Sequence, residues 1–478
     1  MSGRTGMLIL ALAVAAAPAA GQDYTHPKEM GLPTPGFERP DPDRLRLALD
    51  NDLVAYVAED HRVPLVTLVA FVAAGSGHGG PGEAAALADA MRRGPASMAG
   101  SEFGAALADM AAAYSVDLGR EEIEITLDVP AEDAWRALGL LAGVLREPAF
   151  GRQTPGGLSR TSRTGGIDWE SSIAGAIAAF DSRMWQGHPF GRTATPAQQQ
   201  AAATGGAQRF HDRWVVPSNV TLAISGDFDV AEARSRTTDA FASWTGGARP
   251  APMTFPDAST SAPRRVLTAD ASKLQGWVVL GHEIPVVPRE DRAALAVMDY
   301  ILGAYHLDSR LFRESRELRG LTNDNSSFLE PGVRGPGAYT FRTYGRPETV
   351  RLLVDITFRE LDKIRSGPAT EDEIFVAKGA LVDGIYVASY ATGLDATRSY
   401  AREWLREGDH EWSGSYPERI RAVTSDQVQA AARSYIHPER MLISVVGPLE
   451  RIRGAEMIES EPQLEAWGRV ERVDGGGR

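Results

Sequence analysis

Gly-Glu-Ala-Ala-Ala-Leu-Ala-Asp-Ala-Met-Arg-Arg-Gly, residues 82–94, is the stretch from which the fold can be worked out. It follows an apolar run at residues 65–74 and a glycine-rich turn at residues 75–80. Leu87 and Met91 are four residues apart and therefore share one face of a helix. The order predicts a strand, a tight turn and an amphipathic helix.

The segments on either side of this stretch predict a sheet with helices against it. Residues 45–49 and 53–58 read as short strands before it. Farther on, apolar residues at 123, 125, 127 and 129 alternate with polar residues at the even positions. This alternation predicts a strand with one buried face and one solvent-facing face, as in an antiparallel sheet covered on one side. An amphipathic helix is predicted at residues 131–145.

The second half of the chain repeats landmarks of the first. Trp-Val-Val-Pro at 214–217 precedes a strand that ends at Gly226, and Tyr-Ile-His-Pro at 435–438 precedes one that ends at Gly447. Strands ending at Gly75 and Gly281 each lead into Ala-Ala-Leu-Ala, at 85–88 and 293–296. The chain is therefore predicted to be an α+β protein of two homologous lobes, each an antiparallel-rich sheet packed with helices. The predicted lobes are residues 44–245 and 265–455, with a linker at 246–264 and a trailing tail at 456–478.

Composition limits the cellular compartment and the classes of binding partner that the sequence allows. The chain has 478 residues and a net charge of −13, and this negative charge argues against nucleic-acid binding. It has no cysteine, which excludes disulfides and thiol chemistry. Residues 1–21 read as a signal peptide with Arg4 before an apolar run, too short to span a bilayer. An uncleaved N-terminal anchor is the alternative. The expected location is periplasmic or cell-envelope associated, with no transmembrane helix.

The order of these elements resembles the insulinase/pitrilysin family of zinc metallopeptidases, which includes mitochondrial processing peptidase subunits and bacterial two-lobe proteins. The similar features cover most of residues 44–455. They include Arg-Glu-Pro-Ala-Phe at 146–150, Gly-His-Pro at 187–189, Ser-Arg-Leu-Phe at 309–312 and Arg-Glu-Leu-Arg-Gly-Leu at 316–321. The resemblance implies the two-lobe fold and a peptide substrate.

The family's zinc motif, His-x-x-Glu-His, is degenerate in this chain. The two histidines align with Ala86 and Ala90, and the general-base glutamate aligns with Asp89. The third ligand of the family would fall at about residues 165–167, where no carboxylate stands, although Asp168 and Glu170 follow. Alanine methyl groups cannot coordinate a metal. We therefore expect no catalytic residue and no metal or other cofactor here, with zinc only in an active partner.

In the second lobe the family uses an arginine and a tyrosine seven residues apart to hold the substrate backbone. The resemblance places these roles on Arg316 and Asn323, so the arginine is kept and the tyrosine is replaced. Both are candidate substrate-binding residues, and an ordinary surface or ion-pair role for Arg316 is the alternative. His78, in the glycine-rich turn, is predicted to be a solvated loop residue.

The resemblance implies a catalytically inactive homologue that forms a heterodimer with a homologous zinc-bearing subunit and helps to enclose peptides for proteolysis. Whether the chain is itself an enzyme stays open at this point. One alternative is a metal-dependent endopeptidase that uses an unrecognised site, and another is a stand-alone peptide-binding or assembly factor. The glycine-rich turn also fits a dinucleotide fingerprint, but the hairpin-like strands around it lack the βαβ pattern.

Overall fold

In the computed structural model, which describes residues 36–151, 173–257, 264–271, 274–304 and 307–473, the strands form two six-stranded sheets. The predicted signal peptide lies outside the described residues. The first sheet contains β1 Arg46–Ala48, β2 Val54–Glu59, β3 Leu65–Val72, β4 Ala113–Leu118, β5 Ile123–Pro130 and β6 Val220–Gly226. The second contains β7 Arg265–Asp270, β8 Gly276–Ile284, β9 Asn325–Glu330, β10 Gly337–Gly345, β11 Leu442–Gly447 and β12 Arg469–Arg472.

Helices connect the strands and cover the sheets. In the first half they are α1 Pro42–Leu45, α2 Glu83–Arg92, α3 Gly100–Asp109, α4 Ala134–Arg146, α5 Ile173–Met184, α6 Pro196–Ala201, α7 Ala207–Trp214 and α8 Val230–Phe241. In the second half they are α9 Arg289–Leu302, α10 Arg310–Phe312, α11 Val350–Ser366, α12 Glu371–Gly379, α13 Gly393–Glu407, α14 Glu411–Ala422, α15 Ser425–Tyr435 and α16 Leu449–Gly454. Across the described residues no helix is long and apolar enough to cross a membrane.

The two sheets share one topology, as the repeated landmarks predict. Their orders are β1-β2-β6-β3-β5-β4 and β12-β7-β11-β8-β10-β9. The repeated strands β6 and β11 are equivalent, because each pairs parallel with one neighbour and antiparallel with the other. The sheets differ at one edge, where β1 is antiparallel to β2 but β12 is parallel to β7. The predicted fold class is confirmed.

Each sheet buries one face against helices of its own half. Alternate residues of β3 and β5, from Val66 to Val72 and from Ile123 to Val129, join helices α2, α4 and α8 in one core. The equivalent core of the second half lies between its sheet and helices α9, α11 and α15. Complete burial of a valine or leucine side chain contributes about 1.5–3 kcal/mol, so these two cores dominate the stability of the fold.

The opposite face of each sheet is covered by a helix from the other half of the chain. Helix α13 lies on β2, β3 and β6 of the first sheet. Helix α5 lies on β8 and β11 of the second sheet, where Ala176 and Phe180 pack against Leu267 and Val279. The predicted lobe boundaries at 44–245 and 265–455 stay a prediction, but the two halves exchange these helices.

Two sequence predictions are wrong in detail. The polar face of β5 does not face solvent, because Glu122 and Glu124 are half-buried under α13. The tail does not trail over its described residues, because Leu464 and Trp467 are buried and β12 extends the second sheet. The linker at 246–264 stays a prediction, although Phe255 within it is 5% exposed. In each case the covering surface comes from a distant part of the chain.

One buried carboxylate lies in the core of the second half. Asp299 of α9 accepts hydrogen bonds from the hydroxyl groups of Ser327 and Tyr339, at 2.6 and 2.8 Å. Burial raises the pKa of Asp299 to about 6, since removal from water disfavours the charged form.

Candidate functional site

The helix aligned with the zinc motif forms as predicted. It begins after Gly82, whose φ of +84° is a conformation that favours glycine, and it buries Leu87 and Met91 in the first core. Ala90 is fully buried and Ala86 packs against the same core. Two of the three motif positions therefore serve the packing of the helix.

The third motif position takes part in an ion pair. The carboxylate of Asp89 accepts a hydrogen bond from Arg92 Nη1 at 2.7 Å. The same guanidinium donates from Nε and Nη2 to the backbone carbonyl of Val116, at 3.1 and 2.6 Å. Val116 lies on β4, one of the two edge strands of the first sheet. The Asp89 carboxylate therefore helps to hold the Arg92 guanidinium against the edge of the first sheet.

These residues do not fit a catalytic zinc. A catalytic zinc site needs three protein ligands and an open water position, and Ala86 and Ala90 supply no donor atom. Among the described residues no group of three or more histidine, cysteine, aspartate or glutamate side chains could hold a metal ion. Residues 165–167, Asp168 and Glu170 lie outside the described residues, so the third-ligand prediction stays a prediction.

The two candidate substrate-binding residues lie together at the surface. Arg316 is in a π-helical turn, Arg313–Glu317, and donates a hydrogen bond from Nη1 to the side-chain oxygen of Asn323. Both are exposed, and the guanidinium lies 5.5 Å from the ring centroid of Phe312. The pair belongs to the second half, whereas the motif helix packs on the first sheet. Their role in substrate binding stays a prediction.

His78 is not the solvated residue that the glycine-rich turn predicts. It is 1% exposed, its Nδ1 accepts a hydrogen bond from the backbone of Gly75, and its ring contacts Trp214 and Phe255. Burial lowers the pKa of His78 to about 4. The histidine is neutral at pH 7 and serves the packing of the turn.

Sequence reasoning missed a charged contact between the two halves, which we call the clasp. It joins residues 120–124, at and after the β4–β5 turn, to the second half. Three arginines of α13 bind the carboxylates of β5 and its preceding turn: Arg398 binds Glu124, Arg402 binds Glu122 and Glu124, and Arg406 binds Glu122. The arginines are four residues apart and so share one helical face, which is the signal that the sequence offers.

The residue beside these carboxylates extends the clasp to a loop. The Glu121 carboxylate accepts hydrogen bonds from the backbone N–H groups of Val333, Arg334 and Gly335, at 2.9, 2.8 and 3.0 Å. Three donors that converge on one carboxylate form an anion-binding nest. Glu121 therefore fixes the β9–β10 loop of the second half against the first sheet.

The comparisons with known proteins agree with this fold. Residues 207–381 match the family model described as the peptidase M16 inactive domain, M16 being the insulinase/pitrilysin group. The predicted resemblance to this family is confirmed. The description of the matching model as inactive agrees with a non-catalytic M16-like protein. No curated protein matches the chain at a significant level.

Solved structures similar to the M16-like chain include a peptidase M16 inactive domain from Pseudomonas fluorescens, at 20% identity and a TM-score of 0.69, covering 84% of this chain and 98% of that one. A protease from Helicobacter pylori has 16% identity and a TM-score of 0.71, with coverage of 84% and 99%. A chain of Complex III2 from Candida albicans has 15% identity and a TM-score of 0.66, with coverage of 85% and 96%. These likenesses show the fold.

Proposed function

We propose that this protein is the non-catalytic subunit of an M16-type peptidase, paired with a homologous zinc-bearing subunit whose peptide substrates it helps to bind and enclose. In this assembly the partner supplies the metal and this chain supplies walls and peptide contacts. The proposed location is the periplasm or cell envelope, from the signal-like residues 1–21.

The main support for the proposal is that the residues at the three motif positions are engaged in packing and in an ion pair. Ala90 is fully buried, Ala86 packs on the core, and the carboxylate of Asp89 holds Arg92 against β4. The helix lies where the resemblance places the motif helix, and the positions aligned with the zinc motif take part in packing and in an ion pair. A chain with this fold and no donor atoms at Ala86 and Ala90 fits a subunit that supplies structure and peptide contacts while its partner supplies the metal.

Two further facts support pairing and peptide contact. A similar fold occurs in a chain of Complex III2 from Candida albicans. In the present chain Arg316 and Asn323 are exposed and together offer hydrogen-bond donors to a peptide carbonyl. Arg316 keeps its ability to donate because only one of its five N–H groups is used in the bond to Asn323.

The test is to purify the tagged chain from its native source and identify the proteins that co-purify in stoichiometric amount. We expect a similar two-lobe chain that keeps His-x-x-Glu-His, one zinc per pair by plasma mass spectrometry, and peptide cleavage by the pair. The chain expressed alone is the control and should hold no zinc and cleave no peptide. Stoichiometric zinc or cleavage in the isolated chain would overturn the proposal.

A further inference from the structure

A cavity of about 440 Å³ lies in the second half, apart from the motif helix and from the Arg316–Asn323 pair. Its walls come from α13, from α14, from the π-helical turn Ala380–Tyr386 with the residues that follow it, and from the loop at residues 331–333. Its size falls within the range of pockets that take a small molecule or a large side chain.

The inner wall is a continuous run of aromatic rings. Tyr386 and Tyr416 are stacked, with ring centroids 5.4 Å apart and planes 9° apart. Trp412 meets Tyr416 edge-on at 5.7 Å, and Tyr390 meets Tyr386 at 5.1 Å. Aromatic rings pack on one another at centroid distances of about 4.5–7 Å, so this wall can accept one more ring at the same spacing.

The charged residues around the cavity are already paired within the protein. Arg292 binds Glu407, and Glu403 pairs with His410 and accepts the backbone N–H of Ser413. The two remaining cations, Arg402 and Arg406, bind the clasp carboxylates. A charged ligand would have to break one of these pairs, whereas an uncharged ring would leave them intact. The electrostatics therefore favour an uncharged ligand group.

The clasp holds the loop that forms one side of the cavity. Gly332 and Val333 line the cavity, and the backbone N–H of Val333 donates to the Glu121 carboxylate. A wall that is fixed before binding lowers the ordering entropy that a ligand must overcome. The cavity is therefore preformed by contact between the two halves.

We propose that this cavity binds an aromatic side chain of a peptide. The inference rests on the proposed function, which supplies peptides as ligands, and adds a preference for phenylalanine, tyrosine or tryptophan at one position. The ring packs against Tyr416 and Trp412, and the loop at residues 331–333, already held by Glu121, forms a fixed wall beside it.

The experiment compares two uncharged pentapeptides, acetylated and amidated, that carry phenylalanine or alanine at the centre and are otherwise identical. Binding to the full chain is measured by isothermal titration calorimetry. We expect at least tenfold weaker binding of the alanine peptide, because it has no ring to pack on the aromatic wall.

Two variants test whether the phenylalanine peptide binds in this cavity. Ser389→Trp fills it from the wall between Tyr386 and Tyr390, and Tyr416→Ala removes the centre of the aromatic run. Each should weaken binding of the phenylalanine peptide at least tenfold. The matched control is Tyr344→Ala, a half-buried tyrosine on β10 outside the cavity, which should change the affinity less than twofold. If the filled variant does not fold, Tyr416→Ala decides.

Equal affinity for the two peptides, no binding of either, or unchanged affinity in both cavity variants would overturn the inference. None of these results would refute the pairing, which is judged by co-purification and zinc content. Failure of pairing together with cavity-dependent binding of the phenylalanine peptide would refute the proposed subunit role and retain the cavity.

Discussion

The clasp gives the sharpest prediction about how the two halves stay together, and the change to make is Arg402→Ala. Arg402 is the only one of the three clasp arginines described above that binds both Glu122 and Glu124. Its guanidinium also lies 4.6 Å from the ring centroid of Phe71 in β3. The substitution removes both hydrogen bonds and the packing on the ring.

The expected loss follows from these contacts. A hydrogen bond to a charged group contributes about 1.5–3 kcal/mol. Arg402 is 33% exposed at the side chain, so solvent screens part of this. Arg398 and Arg406 still neutralise Glu124 and Glu122 in the variant, so neither carboxylate is left buried and unpaired. We therefore expect a fall of about 2 kcal/mol in the free energy of unfolding.

The assay is urea-induced unfolding of the full chain, followed by tryptophan fluorescence at low and at high salt. Arg236→Ala on α8 is the matched control, because its pair with Glu232 is about half exposed at 53% and 46%. An exposed pair at this spacing contributes about 0.3–0.5 kcal/mol. A double-mutant cycle of Arg402→Ala with Glu124→Ala should give a coupling energy of about 1 kcal/mol.

The reasoning fails if Arg402→Ala is no more destabilising than Arg236→Ala, or if the cycle shows no coupling. Either result would mean that the two hydrogen bonds of Arg402 contribute little to holding α13 on the first sheet.

Three further predictions concern single sites. Replacing both Ala86 and Ala90 by histidine should give no peptidase activity in the isolated chain, because the third ligand is expected to be missing; cleavage of a peptide without a partner would contradict this. The same change should lower the free energy of unfolding by about 1–3 kcal/mol, measured by thermal unfolding, because histidine overpacks the site of the buried Ala90. Asp299 has a folded pKa of about 6 against about 3.9 when unfolded, so its contribution is full below pH 4 and is lost as the pH rises through 6. Unfolding measured at pH 4 and pH 7 should therefore show wild type losing up to about 3 kcal/mol relative to Asp299→Asn; equal pH dependence in the two proteins would refute the assignment. Glu461→Gln should lower the free energy of unfolding by about 3 kcal/mol, because it leaves the fully buried Arg351 without its counter-charge. Urea-induced unfolding compares this variant with the same substitution at an exposed ion-pair glutamate such as Glu232, and equal effects would show that the buried pair contributes little.

Local patterns predicted the elements and their repetition, and the reasons are physical. Leu87 and Met91 mark the buried face of α2 because helical period is set by the backbone. Ala86 and Ala90 predict that this helix holds no zinc, because coordination depends on donor atoms and residue identity alone shows whether they are present. The equivalence of β6 and β11 follows from matched segments that end in Gly226 and Gly447.

Contacts between distant segments could not be predicted in the same way. Glu122 and Glu124 alternate with apolar residues as solvent-facing residues would, and their partners on α13 are about 270–280 residues away in the chain. His78 lies in a turn rich in glycine, yet Trp214 and Phe255 cover it. Whether a side chain is buried depends on which other segment packs against it, and a local sequence pattern does not identify that segment.

The sequence by itself therefore determined the α+β class, the two repeated halves and the missing histidines of the motif, since these depend on periodicity and residue identity. Only the tertiary structure decided that α5 and α13 are exchanged between the halves, that Asp89 holds Arg92 against β4, and that aromatic side chains of the second half line a cavity. These features form where segments far apart in the chain meet, because ion pairs and packing contacts exist only after folding has brought the two surfaces together.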